Sequence, residues 1–190
     1  GLRALQSNEI GHRNIAIGRD ALLANDTNDN VAVGFQAMRS NSKGTNNVAM
    51  GAQAMENATG GNSNVAIGAD ALRLNTADSN TAVGFEAMEN NTTGNSNVGI
   101  GYEAMTTNTS GLRNVAIGAQ PLSSNTTGND NIAVGSGALA TNSTANENTA
   151  IGVSALNLNT VSGNTAVGFE ALEANTIGVD NVAVGHLALT

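Results

Sequence analysis

The chain contains no cysteine and no tryptophan, and only one proline, one tyrosine and three phenylalanines among its 190 residues. Without cysteine there is no disulfide framework and no thiolate metal site, although this leaves the compartment open. So few aromatics exclude the usual globular core, which draws much of its buried area from large rings. Val, Ile, Leu, Met and Ala must fill the interior instead, and groups of that size suit a thin, regularly stacked one. Basic residues are scarce too: seven Lys and Arg against fifteen Asp and Glu give a net charge of −8 and an isoelectric point near 4.5. A nucleic-acid partner needs clustered cations to displace counterions, so that class is excluded. No run of about eighteen apolar residues is present, and no helical membrane span is expected. No secretory leader is visible, and the chain opens on Gly1 rather than Met, which predicts processing or truncation.

What is present is a repeat. The phrase Asn-Val-Ala-Ile-Gly stands at Asn64–Gly68 and again at Asn114–Gly118, and its asparagine recurs from Asn14, Asn30 and Asn47 through to Asn181 in steps of 16 or 17 residues. Its closing glycine occurs in twelve copies, from Gly1 to Gly185, so the array comprises about twelve coils. One tandem array fills residues 1–190 with no linker, second domain or cap, which predicts a piece of a longer fibre. Within the phrase, an apolar residue or threonine, then alanine, then an apolar residue is period-two alternation, the mark of a short strand. The larger pair faces one side and the alanine the other.

The second half of each coil reads differently. Segments such as Phe85-Glu-Ala-Met-Glu-Asn and Ala69-Asp-Ala-Leu-Arg-Leu are rich in good helix formers. The fourth residue after the glycine is Leu or Met in every copy, and the first carries all four aromatics, Phe35, Phe85, Tyr102 and Phe169. That spacing puts both on one face of a helical turn. Acids at the second position, Asp20, Asp70, Glu86, Glu103 and Glu170, suit a helix N-terminus, and Pro121 fits the same first turn. An asparagine closing the segment is a common left-handed stop. One short helical turn per coil is therefore expected, with an extended path left open, because packed helices need about 8–10 Å where stacked strands need about 4.8 Å. The Asn-Thr-x-Gly stretch that completes each coil is turn chemistry.

The expected fold is mainly β: a parallel β-solenoid or β-roll, a rod on the order of 50 Å long with asparagine ladders along it. The strand alanines, Ala116 and Ala133 among them, form a narrow apolar stripe. Such a stripe either lies inside a coil too thin for larger groups or is shaped for close approach by other chains. A coil of this size encloses little volume, which argues for association, with a rotationally closed trimer as the natural case.

The phrase Asn-x-Ala-Ile/Val-Gly-x-x-Ala, as at Asn80–Ala87 and Asn164–Ala171, resembles the head repeats of trimeric autotransporter adhesins, and the longer Asn-Thr-Ala-Val-Gly-Phe-Glu-Ala-Leu consensus is similar to repeats of bacteriophage tail fibres. The resemblance implies a parallel β-roll, three chains per fibre, and attachment to a host receptor or surface glycan. The expected role is that of a structural and adhesive segment, extracellular, on a cell or virion surface. A self-polymerising extracellular filament and an ice-binding solenoid with Asn-Thr ladders are the alternatives.

No enzyme is expected. Ile-Gly-x-x-Ala-Leu is similar to the hexapeptide motif of acyltransferases, but it does not recur every six residues, and only His12 and His186 could serve as the histidine that chemistry requires. No catalytic, cofactor-binding or metal-ligating residue is assigned. Asp70, Glu86 and Glu103 in successive coils read as solvated acids rather than a cation ladder. The aromatics read as core fillers rather than an exposed sugar-stacking platform. Sequons at Asn25, Asn57, Asn90, Asn91, Asn108, Asn125 and Asn142 arise readily in a chain this rich in Asn and Thr.

Overall fold

Each coil contributes one three-residue strand, and the strands stack in parallel. The computed structural model describes residues 1–190 as a β-solenoid of eleven such strands, from Ile15–Ile17 to Val182–Val184, in a single sheet whose spatial order is the chain order. Register is residue for residue: Ile15 lies opposite Val31, Ala16 opposite Ala32 and Ile17 opposite Val33, and the same pairing holds to Thr165 and Val182. Ten turns separate the eleven strands, with part-coils before and after them. At about 4.8 Å per turn the sheet is about 48 Å long.

The alanine stripe is the inside of the coil. Ala32, Ala49, Ala66, Ala82, Ala116 and Ala133 are fully buried within the single chain. They join the third-position alanines and fourth-position Leu or Met residues, such as Ala104 and Met105, in one continuous core. This corrects the expectation that the stripe meets other chains. The coil is thin, so the small member of the strand triplet must face in, and the β-branched pair is left facing out. The one exception to alanine in the complete triplets is Gly99, where a Cβ would meet Met88 Cγ at 2.8 Å.

The expected helical turn is also corrected, because no helix forms. The second and fourth residues after each glycine take positive φ, as at Glu86 (53°), Met88 (53°), Glu103 (49°) and Met105 (54°). A helix would keep φ negative and aim every carbonyl along its own chain. Here odd and even amides separate. Ala104 N–H donates to the Gly101 carbonyl and closes a tight turn, whereas Glu103 N–H donates back to Phe85 in the preceding coil and Met105 N–H donates forward to Pro121 in the next. Consecutive β-turns with a left-handed third residue, the type II pattern, thus continue the coil-to-coil ladder where a helix would interrupt it. Left-handed backbone costs a non-glycine residue about 1–2 kcal/mol, against a hydrogen bond and a buried Leu or Met gained in each coil. Pro121 takes the third position, where only the within-turn N–H is lost and the carbonyl still accepts from Met105. The closing asparagines are not left-handed residues; they act through their side chains.

Two asparagine ladders run the length of the interior. In the first, each phrase asparagine accepts on Oδ1 from the backbone N–H of the next: Asn114 N–H to Asn97 (2.8 Å), then Asn131 N–H to Asn114 (3.0 Å). Its Nδ2 donates to a loop carbonyl one coil on, as from Asn114 to Gly128 (2.8 Å). In the second, the closing asparagines donate from Nδ2 to the preceding Oδ1, Asn108 to Asn91 (2.7 Å) and Asn125 to Asn108 (2.8 Å). Ala58 interrupts that ladder once. Only Asn142 Oδ1 and Asn148 Nδ2 lack partners. They face a coil one residue shorter in the loop, where Asn159 Nδ2 turns to the Val161 carbonyl at 2.6 Å instead. Replacing Asn114 by alanine strands the buried Asn131 N–H and opens a cavity, an expected loss of about 2–4 kcal/mol in urea denaturation. Asn57→Ala, at an exposed asparagine outside both ladders, should stay within about 0.5 kcal/mol.

Candidate functional site

The outer surface carries regular rows, one position per coil. The most extensive comes from the strand triplets, whose first and third residues point away from the core. Of these outward positions all are Val, Ile or Met except Thr81, Thr149 and Thr165, and none is charged. The third-position isoleucines remain substantially open, from 37% at Ile100 to 59% at Ile17. Two apolar rows therefore run side by side along the whole sheet. Sequence reasoning took the larger residues for core and missed this face. The signal that could have found it was the alanine itself, the only triplet residue small enough for so narrow a coil.

Beside these rows lies the position after the glycine. Phe35, Phe85, Tyr102 and Phe169 are 39–51% exposed, which corrects the expectation that they fill the core. Fourth-position Leu and Met already occupy the interior, and the left-handed second residue turns the first one outward. Phe85 and Tyr102 stack across successive coils, with centroids 5.8 Å apart and planes 11° from parallel. Phe169 stacks on His186 at 5.2 Å, and the Arg19 guanidinium covers Phe35 at 4.5 Å. No family model, curated protein or solved structure matches this chain. Its rows are therefore read from their own chemistry.

The second position forms a polar row. Asp70, Glu86 and Glu103 do lie in successive coils, and Glu103 accepts from Gln120 Nε2 at 2.8 Å. Hydrogen bonds from Tyr102 and Gln120 hold the Glu103 carboxyl below its ordinary range. Burial, then neighbouring Glu89 and Glu103, push Glu86 up, and burial does the same to Asp70 against the pull of Arg73. These acids are strung along the rod and do not converge; no three His, Asp or Glu side chains are placed to hold a metal ion. Asp20, almost fully buried, is held by Arg3 in two bonds of 2.7 and 2.9 Å.

The variable loop residues are held by neighbouring coils. Gly111 is buried and its carbonyl accepts from Asn97 and Asn108, so it belongs to the scaffold. Arg113 and Asp130, from adjacent coils, pair with each other through bonds of 2.6 and 2.7 Å. Five of the seven sequon asparagines, Asn25, Asn91, Asn108, Asn125 and Asn142, are fully buried ladder members. Their Nδ2 groups are closed to a glycosyl donor in the folded rod. The hydroxyls of Thr76, Thr92, Thr109 and Thr126 each donate to a carbonyl one coil on. His12 and His186 lie near opposite ends of the array. The surface has no pocket, and no helix is long and apolar enough to cross a membrane.

Proposed function

We propose that this chain is a segment of an extracellular structural and adhesive fibre, on a cell or virion surface, in which copies of the chain pack side by side through their outward Val/Ile rows. The observation that carries this reading is the uncharged face of Val, Ile and Met, relieved only by Thr81, Thr149 and Thr165. It measures about 48 Å by about 10 Å, roughly 500 Å², the size of the largest apolar patch on a typical soluble monomer, which is often functional. A second copy suits it best, because only a partner with the same coil spacing keeps its side chains matched along the full length. Two rows also allow one face to serve two neighbours. Three chains around a common axis would each give one row to either side, a closed arrangement with no unused face. The repeat phrase's resemblance to adhesin heads and tail-fibre repeats supports the same reading. An ice-binding role is less well supported, since the threonine hydroxyl row is broken by Glu9, Asp26 and Ser42 and its protons already serve neighbouring carbonyls.

Sedimentation of the wild type beside Val98→Lys/Val115→Lys tests this. The wild type should run as an oligomer, with the trimer favoured. The double variant should run as a folded monomer with unchanged circular dichroism, because two ammonium groups cannot be desolvated in a dry contact without a partner. A wild type that stays monomeric at tens of micromolar would remove the side-by-side fibre.

A further inference from the structure

Each of the four exposed rings has one face covered and one open. Arg19 covers the side of Phe35 toward the start of the chain, Phe85 and Tyr102 cover each other, and His186 covers the far side of Phe169. The open faces consequently look at each other in pairs along the rod. Phe35 and Phe85 stand three coils apart with Ala52 and Ala69 between them; Tyr102 and Phe169 stand four coils apart across Ala119, Ser136 and Val153. Three steps of about 4.8 Å make about 14 Å between ring centres, or about 11 Å clear once ring thickness is removed. Alanines floor the first step, whereas Ala119, Ser136 and the half-exposed Val153 floor the second and make it shallower beside Phe169, and the polar row runs along one edge, with Gln53 and Asp70 at the first and Gln120 and Ser154 at the second.

We infer that these two open steps are carbohydrate-binding sites for an uncharged glycan polymer, contacted crosswise to the rod. Aromatic faces carry negative charge density and attract the polarised C–H face of a sugar ring. Amide, hydroxyl and carboxylate groups beside them suit the hydroxyls on its rim. The first step admits two sugar rings about 5 Å thick, one against each wall. Charge selects among sugars: Asp70 and Glu86 stand in the polar row beside the first step, of which only Asp70 is paired, to Arg73 at 3.5 Å, and the chain carries −8 overall, so uronic or sialic acid polymers are disfavoured. The strand rows vary only between Val, Ile, Met and Thr, as a packing face allows, whereas this row varies from rings to Ala, Ser and Val, as a recognition face would. Both steps are shallow, so one binds weakly and several per fibre bind with avidity.

This deepens the adhesive half of the proposed function, and its test is independent of the fibre half. Affinity electrophoresis of the full chain through gels containing a soluble β-linked glucan, an α-linked mannan, an N-acetylglucosamine oligomer or a polyuronate should show retardation by at least one neutral polymer. Phe35→Ala/Phe85→Ala/Tyr102→Ala/Phe169→Ala should weaken that binding tenfold or more with unchanged circular dichroism. The four leucine replacements, which keep apolar bulk without a ring face, should do the same and stand in if the alanine variant unfolds. The Val98→Lys/Val115→Lys monomer should still be retarded, more weakly, by the same polymer. No retardation by any neutral polymer, equal retardation by the polyuronate, or retardation untouched by loss of the rings would overturn the inference, whatever sedimentation says about assembly.

Discussion

Gly101→Ala should abolish cooperative folding, or destabilise the rod by more than about 4 kcal/mol, a loss confined to a few specific mechanisms. Two of them coincide here. Gly101 has φ of +129°, a region closed to L side chains, and a Cβ at this position would collide with the carbonyl oxygen of Gly118 and stand 2.7 Å from its carbonyl carbon. The obstacle is the equivalent glycine of the next coil, which cannot recede without breaking the sheet register. Gly185 separates the two causes. Its φ is +134°, yet its Cβ would meet nothing nearer than Ala188 Cβ at 3.9 Å. Gly185→Ala should therefore show the backbone cost alone, about 1–3 kcal/mol. Urea denaturation of both variants measures the difference; equal, small losses would mean that adjacent coils are not in contact at this row.

The second large effect distinguishes deletions by register. Removing Asn64–Ser79 joins Ser63 to Asn80. Ser63 and Ser79 are equivalent, both left-handed at φ 58° and 60° and both just before a ladder asparagine. Asn80 N–H would then donate to Asn47 Oδ1 as Asn64 N–H does now at 2.9 Å. The shortened rod should fold, with Tm lowered by a few degrees at most, since each coil interacts only with its neighbours. Removing Asn64–Ala71 joins Ser63 to Leu72 and puts leucine where the ladder needs an amide. Buried N–H groups are orphaned on both sides, and a broad, low melt or aggregation is expected. Thermal melts by circular dichroism give the comparison. Similar damage from both deletions would contradict a structure made of stacked equal units.

The repeat made the solenoid, its parallel sheet and its asparagine ladders readable from the chain alone. A residue recurring at 16 or 17 positions must stack on itself if the coils are equal. Which side of the strand faces inward was not readable by hydrophobicity, because Ala116 is less apolar than Val115 and Ile117 yet is the one that fits. The Glu86-Ala-Met-Glu segment misled for a related reason. Helix propensity describes an isolated stretch, whereas here the carbonyls of Phe85 and Ala87 are claimed by Glu103 and Leu72 of neighbouring coils, and that claim selects alternating φ. The exposure of the rings followed from the same error, since a helical turn would have placed Phe85 over Met88. The paired open ring faces required knowing which neighbour covers each ring, and no spacing rule supplies that.

The strict self-stacking of coils also makes the rod a store of length. Each turn advances the rod by about 4.8 Å, yet a coil of 16 or 17 residues spans about 55 Å when drawn out. Tension applied between the two ends of the chain therefore meets coils in series, each yielding as a unit when its amide bonds to one neighbour give way. The tether would lengthen roughly elevenfold, one coil at a time, before its covalent backbone bore the load.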